Sequence, residues 1–126
     1  VVHGAGCLDE LSTTGPNQVT ELHEGSVHTF VLDPLTLGIP RATTDDLRGG
    51  DAQVNAQIAR DVLNGAPGPR RDVVLLNSAA GLAAGGVADN LVNGLQMAAE
   101  SIDSGRALKK LEALAAFSQT ADRVAA

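Results

Sequence analysis

Apolar positions in this chain recur with two different spacings, and the change from one to the other falls near residue 50. Ahead of it, Val27, Thr29 and Val31 alternate with their neighbours in the run from Ser26 to Leu32, the period of a pleated strand. The stretch from Gln18 to His23, with Val19 and Thr20, supplies a matching arm. Glu24-Gly25 between the two predicts a tight β-hairpin. Asp33-Pro34 closes the second arm, because proline has no N–H to give to a ladder. The opening Val1-Val2-His3-Gly4 reads as the end of a buried parallel strand breaking into a loop. Strands usually run about 5–6 residues, so the chain is expected to begin inside a strand and to be a piece of a longer protein.

Beyond residue 50 the spacing becomes helical. Asp51 stands where an N-cap belongs, Asn55, Ile58, Ala59, Val62 and Leu63 follow at intervals of three and four, and Gly65 supplies the stop. A second helix is predicted over residues 70–84, apolar on nearly every side, and such a helix needs partners on several faces. A third is expected over 88–102, with Leu91, Val92, Leu95, Ala98, Ala99 and Ile102 as its stripe. After Asp103-Ser104-Gly105 comes a fourth, with Leu108, Leu111, Leu114 and Ala115 inward and Lys109-Lys110 in water. Residues 34–50 look irregular, and 120–126 are expected to fray. A little strand, one hairpin and about four helices make an α/β chain whose helices ask for more sheet than it carries.

Composition narrows the function classes. The 126 residues suit one domain. With 44% hydrophobic and 19% charged residues, the chain has the balance of a folded protein. Fifteen acidic residues against nine basic ones leave a formal charge of −6, which repels phosphate backbones and argues against nucleic acid or an anionic membrane as partner. Phe30 and Phe117 are the only aromatic residues, too few for base-stacking platforms. The single cysteine, Cys7, cannot close an internal disulfide and suits a reducing, cytoplasmic setting. No apolar run approaches the ~20 residues of a membrane span, and no signal peptide is visible.

Candidate chemistry is sparse. Asp9-Glu10 follows the opening strand by a short glycine-containing loop, where open α/β folds place ligands. Adjacent carboxylates on a loop can both turn to one cation, and magnesium favours such oxygen ligands, with water and phosphate completing its shell. An isolated Asp-Glu dipeptide is also a common solvated pair. Ser12-Thr13-Thr14-Gly15-Pro16 offers hydroxyls for a phosphate or, more simply, for anchoring the hairpin. Gly49-Gly50-Asp51 has the look of a phosphate-binding helix start, but Asp51 would aim a negative charge at the ligand and serves better as a cap. His3, His23 and His28 lack the spacing of a metal site on one helix, and a ligand shared by His23 and His28 across the hairpin is the weaker reading. Asp45-Asp46 reads as a solvated turn or a cap for the segment at Leu47. No P-loop, nucleophile elbow or dinucleotide fingerprint occurs.

Taken together, these runs resemble the C-terminal part of the anthranilate phosphoribosyltransferases. The likeness begins with Val1-Val2-His3-Gly4 through Leu8-Asp9-Glu10-Leu11-Ser12. It continues through Gly15-Pro16, Glu21-Leu22, Asp46-Leu47-Arg48-Gly49-Gly50-Asp51, Asn55-Ala56, Val62-Leu63-Asn64-Gly65 and Leu75-Leu76-Asn77 to Ala99-Glu100-Ser101-Ile102-Asp103-Ser104-Gly105, in order over residues 1–118. The resemblance implies that residues 1–126 are the C-terminal portion of a nucleoside-phosphorylase/phosphoribosyltransferase-type α/β domain. The implied reaction moves the 5-phosphoribosyl group of phosphoribosyl pyrophosphate to anthranilate in tryptophan biosynthesis, with Mg2+ as cofactor and a homodimer as the assembly. It implies that Asp9 and Glu10 bind the magnesium near the pyrophosphate. The family's Gly-Thr-Gly-Gly-Asp donor loop, its Lys-His-Gly-Asn segment and its anthranilate contacts have no match here, so the segment is expected to be inactive by itself. A pyrimidine nucleoside phosphorylase-like enzyme and a non-catalytic nucleic-acid-binding homologue on the same scaffold are the alternatives.

Overall fold

The hairpin forms where the alternation places it. In the computed structural model, which describes residues 1–121, strand β2 (Asn17–His23) pairs antiparallel with β3 (Ser26–Leu32) in the register Val19 to Phe30 and Leu22 to Val27. Glu24 and Gly25 both take positive φ, 46° and 78°, the backbone of a two-residue turn whose twist matches that of the strands. Opening strand β1 (Val2–His3) pairs antiparallel with β2, Val2 opposite Val19. The sheet order is β1-β2-β3; among the described residues β1 has no parallel partner, so the expected parallel pairing is not seen within this segment.

The stretch 34–50, read as irregular, holds two short elements. A 3-10 turn, Pro34–Leu37, is capped by Asp33, whose carboxylate accepts from the Leu35 N–H at 3.0 Å. Helix α1 (Thr44–Leu47) is only four residues long and rests on a capping box: the Thr43 hydroxyl accepts from Asp46 N–H, and the Asp46 carboxylate accepts from Thr43 N–H at 2.7 Å. Periodicity cannot announce an element of one turn; its signal is the Thr-x-x-Asp spacing.

Four longer helices follow: α2 (Ala52–Leu63), α3 (Pro69–Ala84), α4 (Leu91–Asp103) and α5 (Arg106–Ala121). Asp51 caps α2 as expected, accepting from Val54 N–H at 2.9 Å. Thr120 and Ala121 lie within α5, and the rest of the stretch expected to fray, 122–126, is outside the described residues. The core sits between the sheet and the helices: Leu11, Leu32, Ile39 and Leu76 are buried together, with Val2, Val19, Ala80, Leu91 and Leu95 packed around them.

Helix α3 packs along α4, and the contact is close because Gly94 faces Ala79. The buried stripe of α4 is Gly94, Ala98 and Ile102; Val92, expected in that stripe, is exposed. Leu76 and Ala79 of α3 are buried and Val73, Leu75, Ala80, Leu82 and Ala83 are half-buried, while Val74, Ser78 and Gly81 form an exposed stripe, so the helix expected to be apolar nearly all round is open to solvent along one side. In α5, Leu108 and Leu111 are half-buried and Leu114 and Phe117 are exposed.

Candidate functional site

The carboxylate loop is built from backbone hydrogen bonds. Gly4 N–H donates to Leu8 C=O at 2.8 Å and Leu8 N–H returns to Gly4 C=O at 3.3 Å, closing a tight turn over residues 4–8. Gly6 and Cys7 turn the chain through positive φ, 79° and 62°. Gly4 is glycine for a steric reason: a β-carbon there would collide with the carbonyl oxygen of Glu10 as the loop folds back. Asp9 and Glu10 emerge directly from this turn, and both side chains are exposed.

Two asparagines hold the flanks. Asn17, 1% exposed at the head of β2, accepts at Oδ1 from Ala5 N–H (3.2 Å) and Ser12 N–H (2.7 Å). Its Nδ2 donates to the carbonyls of Ser12, Gly15 and Leu32 at 2.9, 3.3 and 3.3 Å. Asn77, on α3, accepts from Leu11 N–H at 2.9 Å and donates to Leu11 C=O at 2.8 Å and to its own helix at Val73 C=O. One amide thereby reproduces a strand partner for Leu11. Neither asparagine stands out as a functional candidate in the sequence. The available signal is a polar residue directly after Leu75-Leu76 in an apolar run, since a part-buried amide demands partners.

The carboxylates themselves are uncommitted: neither Asp9 nor Glu10 makes a side-chain hydrogen bond or ion pair among the described residues, and no group of three or more His, Cys, Asp or Glu converges there. The donor chemistry fits a hard divalent cation, with two carboxylates in solvent and room for water or phosphate oxygens to complete a shell. Beside the loop lies a cleft of about 350 Å3 lined by Ala5, Gly6, Leu8, Thr14, Thr44, Leu47 and Arg48. Arg48 is exposed and pairs with Asp45 at 2.8 Å.

Other candidates resolve into structural parts. The Ser12-to-Pro16 turn anchors the hairpin: Ser12 and Thr13 are fully buried, and the Ser12 hydroxyl accepts from Thr14 N–H at 3.1 Å. The second glycine of Gly49-Gly50 is tied by Asn55, which accepts from Gly50 N–H and donates to Gly50 C=O, each at 2.9 Å. Asp46 belongs to the α1 cap. His23 and His28 are exposed diagonal neighbours across the hairpin and join no metal-ligating cluster among the described residues. Cys7 is exposed.

A strand-loop bearing paired carboxylates, a hairpin and a run of helices make up an α/β arrangement. The chain belongs to the glycosyl transferase family, a/b domain, which it matches over residues 1–108. Over 117 residues it is 52% identical to the anthranilate phosphoribosyltransferase of Syntrophobacter fumaroxidans, and over 120 residues 46% identical to that of Desulforamulus reducens. These alignments cover 93% and 95% of the chain but 35% of each relative, so the chain spans about a third of the length of the curated relatives it matches.

Solved structures agree. The anthranilate phosphoribosyltransferase of Thermus thermophilus superimposes with a TM-score of 0.82 at 38% identity, covering 93% of this chain and 34% of that one. The Saccharomyces cerevisiae enzyme in complex with phosphoribosyl pyrophosphate and Mg gives 0.77 at 31% identity, covering 88% and 32%. No helix among the described residues is long and apolar enough to cross a membrane.

Proposed function

We propose that this chain is the C-terminal portion of the α/β domain of an anthranilate phosphoribosyltransferase, and that Asp9 and Glu10 are its magnesium ligands. The observation that carries the reading is identity of about half over nearly the whole chain to enzymes of that name. A structural relative that holds phosphoribosyl pyrophosphate and Mg supports the cofactor and the donor. The full-length protein would act as a cytoplasmic homodimer, transferring the 5-phosphoribosyl group to the amino group of anthranilate and releasing pyrophosphate.

Bound magnesium supplies charge neutralisation to the departing pyrophosphate as the ribosyl carbon becomes cation-like. The chain's own contribution is to hold two carboxylates side by side in solvent at the end of a closed turn. Neither is engaged elsewhere among the described residues, so neither must break an ion pair to bind. Donor and acceptor contacts belong to the part of the family's length that this chain does not span, so residues 1–126 alone should give no phosphoribosylanthranilate.

The test uses the full-length protein containing this segment, with Asp9→Asn and Glu10→Gln assayed over a magnesium series. Lost turnover and a weakened magnesium dependence, with an unchanged circular dichroism spectrum, are expected. Unchanged kinetics in both variants would remove the pair from the site, and turnover by residues 1–126 alone would refute the division of labour.

A further inference from the structure

The loop that carries Asp9 and Glu10 is fastened at four places, and none of the fastenings uses a carboxylate. The Gly4–Leu8 backbone pair closes its base, Asn17 holds Ala5 on one side and Ser12 on the other, and Asn77 holds Leu11, the residue next to Glu10. Backbone constraint is thus greatest immediately beside the two side chains that are left free. Resting on the magnesium reading above, we infer that Asn77 and Asn17 are positioning residues, fixing the backbone of Asp9-Glu10 so that the pair is organised before the metal arrives.

Leu11, which is 2% exposed, is packed in the buried cluster with Leu76 of α3, and the Asn77 amide satisfies its backbone N–H and C=O there. The carboxamide adds directional control to that packing, because pairing with both N–H and C=O of Leu11 fixes the rotation of the peptide unit as well as its place. Rotation about that backbone is what decides whether the preceding carboxylates converge or splay. Partners behind metal ligands typically shift affinity by about 10–100-fold when removed, and a site held loosely by its supports loses function while remaining present. Asn17 does the same from the strand side, committing both of its amide atoms to the loop and hairpin.

The experiment is a magnesium titration of the full-length protein, read both as heat of magnesium binding by calorimetry without substrate and as turnover, comparing wild type, Asn77→Leu, Asn77→Ala and Ile102→Ala. Leucine keeps the branched heavy-atom outline of asparagine and removes the hydrogen bonds, and alanine removes them without adding bulk. Ile102 is buried in α4 away from the loop and reports general destabilisation. Both Asn77 variants are expected to raise the half-saturating magnesium concentration about tenfold and the donor KM with it, while kcat at saturating magnesium stays near wild type. Ile102→Ala should lower Tm without moving the half-saturation point.

A wild-type magnesium dependence in the Asn77 variants would overturn the inference, as would an equal shift in Ile102→Ala. Failure of both Asn77 variants to fold while Ile102→Ala folds would assign the tie to structure alone and would also overturn it. Failure of the magnesium reading looks different: Asp9→Asn and Glu10→Gln would themselves leave the dependence unchanged.

Discussion

Gly94 on α4 approaches Ala79 on α3 so closely that a β-carbon on Gly94 would lie 2.8 Å from the Ala79 carbonyl oxygen and 2.9 Å from its α-carbon. Both residues are buried. The α3–α4 crossing therefore depends on the absence of one methyl group, and through α3 it sets where Asn77 meets the carboxylate loop.

Gly94→Ala should push the two helices apart. Overpacking of this kind costs about 1–3 kcal/mol, partly offset by the better helix propensity of alanine. A fall in the urea midpoint of the full-length protein, with an unchanged m-value, is the expected result. The compensating substitution is not available at Ala79, because the clash is with its backbone as well as its side chain.

Gly4→Ala tests the turn from the other direction. Its β-carbon would meet the Glu10 carbonyl oxygen, so the loop has to open between residue 4 and the carboxylate pair. Magnesium-dependent turnover should fall by an order of magnitude or more, while helix content stays as in wild type. Gly6→Ala is a useful contrast, since nothing lies within contact distance of a β-carbon there and only the left-handed backbone resists, at about 1 kcal/mol.

Acid should weaken the fold through Asp33 and Asp46. The hydrogen bond from Leu35 N–H, helped by the Arg41 guanidinium, holds Asp33 below its ordinary value, and bonds from the Thr43 hydroxyl and N–H do the same for Asp46. A carboxylate depressed in the folded state stabilises above its unfolded pKa, and that stabilisation is lost as pH falls through the folded one. The loss belongs below about pH 4. Burial pushes Asp72 the other way, so its contribution is present at low pH and lost as pH rises. Thermal melts between pH 2 and 7 should show a shallower acid limb in Asp33→Asn than in wild type, because the amide oxygen accepts from Leu35 N–H at every pH and residue 33 no longer takes up a proton on unfolding.

How far the sequence speaks depends on the length scale of each signal. Seven-residue strands and helices of twelve residues or more repeat their pattern often enough to be read, and Ser26–Leu32 and Ala52–Leu63 lie where their spacing puts them. The four-residue α1 shows no period and escapes such a reading. Val92 is misplaced by it because a stripe of large apolar residues hides the role of a glycine: Gly94, with no side chain to count, is the centre of the buried face. In the candidate site, Asp9-Glu10 is legible as an exposed carboxylate pair, but the residues that hold its loop are not. Asn77 lies 66 positions from Leu11, and a contact over that distance exists only once α3 has docked.

Strand β3 carries a consequence for handling the protein. Among the described residues it lies at one edge of the sheet, seven residues long, and its Val27, Phe30 and Val31 are exposed. The run Ser-Val-His-Thr-Phe-Val-Leu has no acidic residue, no lysine or arginine and no proline, the composition of segments that stack into cross-β fibrils. Asp33-Pro34 follows at once and stands as a gatekeeper at one end, leaving the hairpin tip as the open end. For residues 1–126 in concentrated solution this margin of the sheet offers a place for one copy to add to the next, and Val31→Lys is expected to slow the growth of light scattering without touching the carboxylate loop.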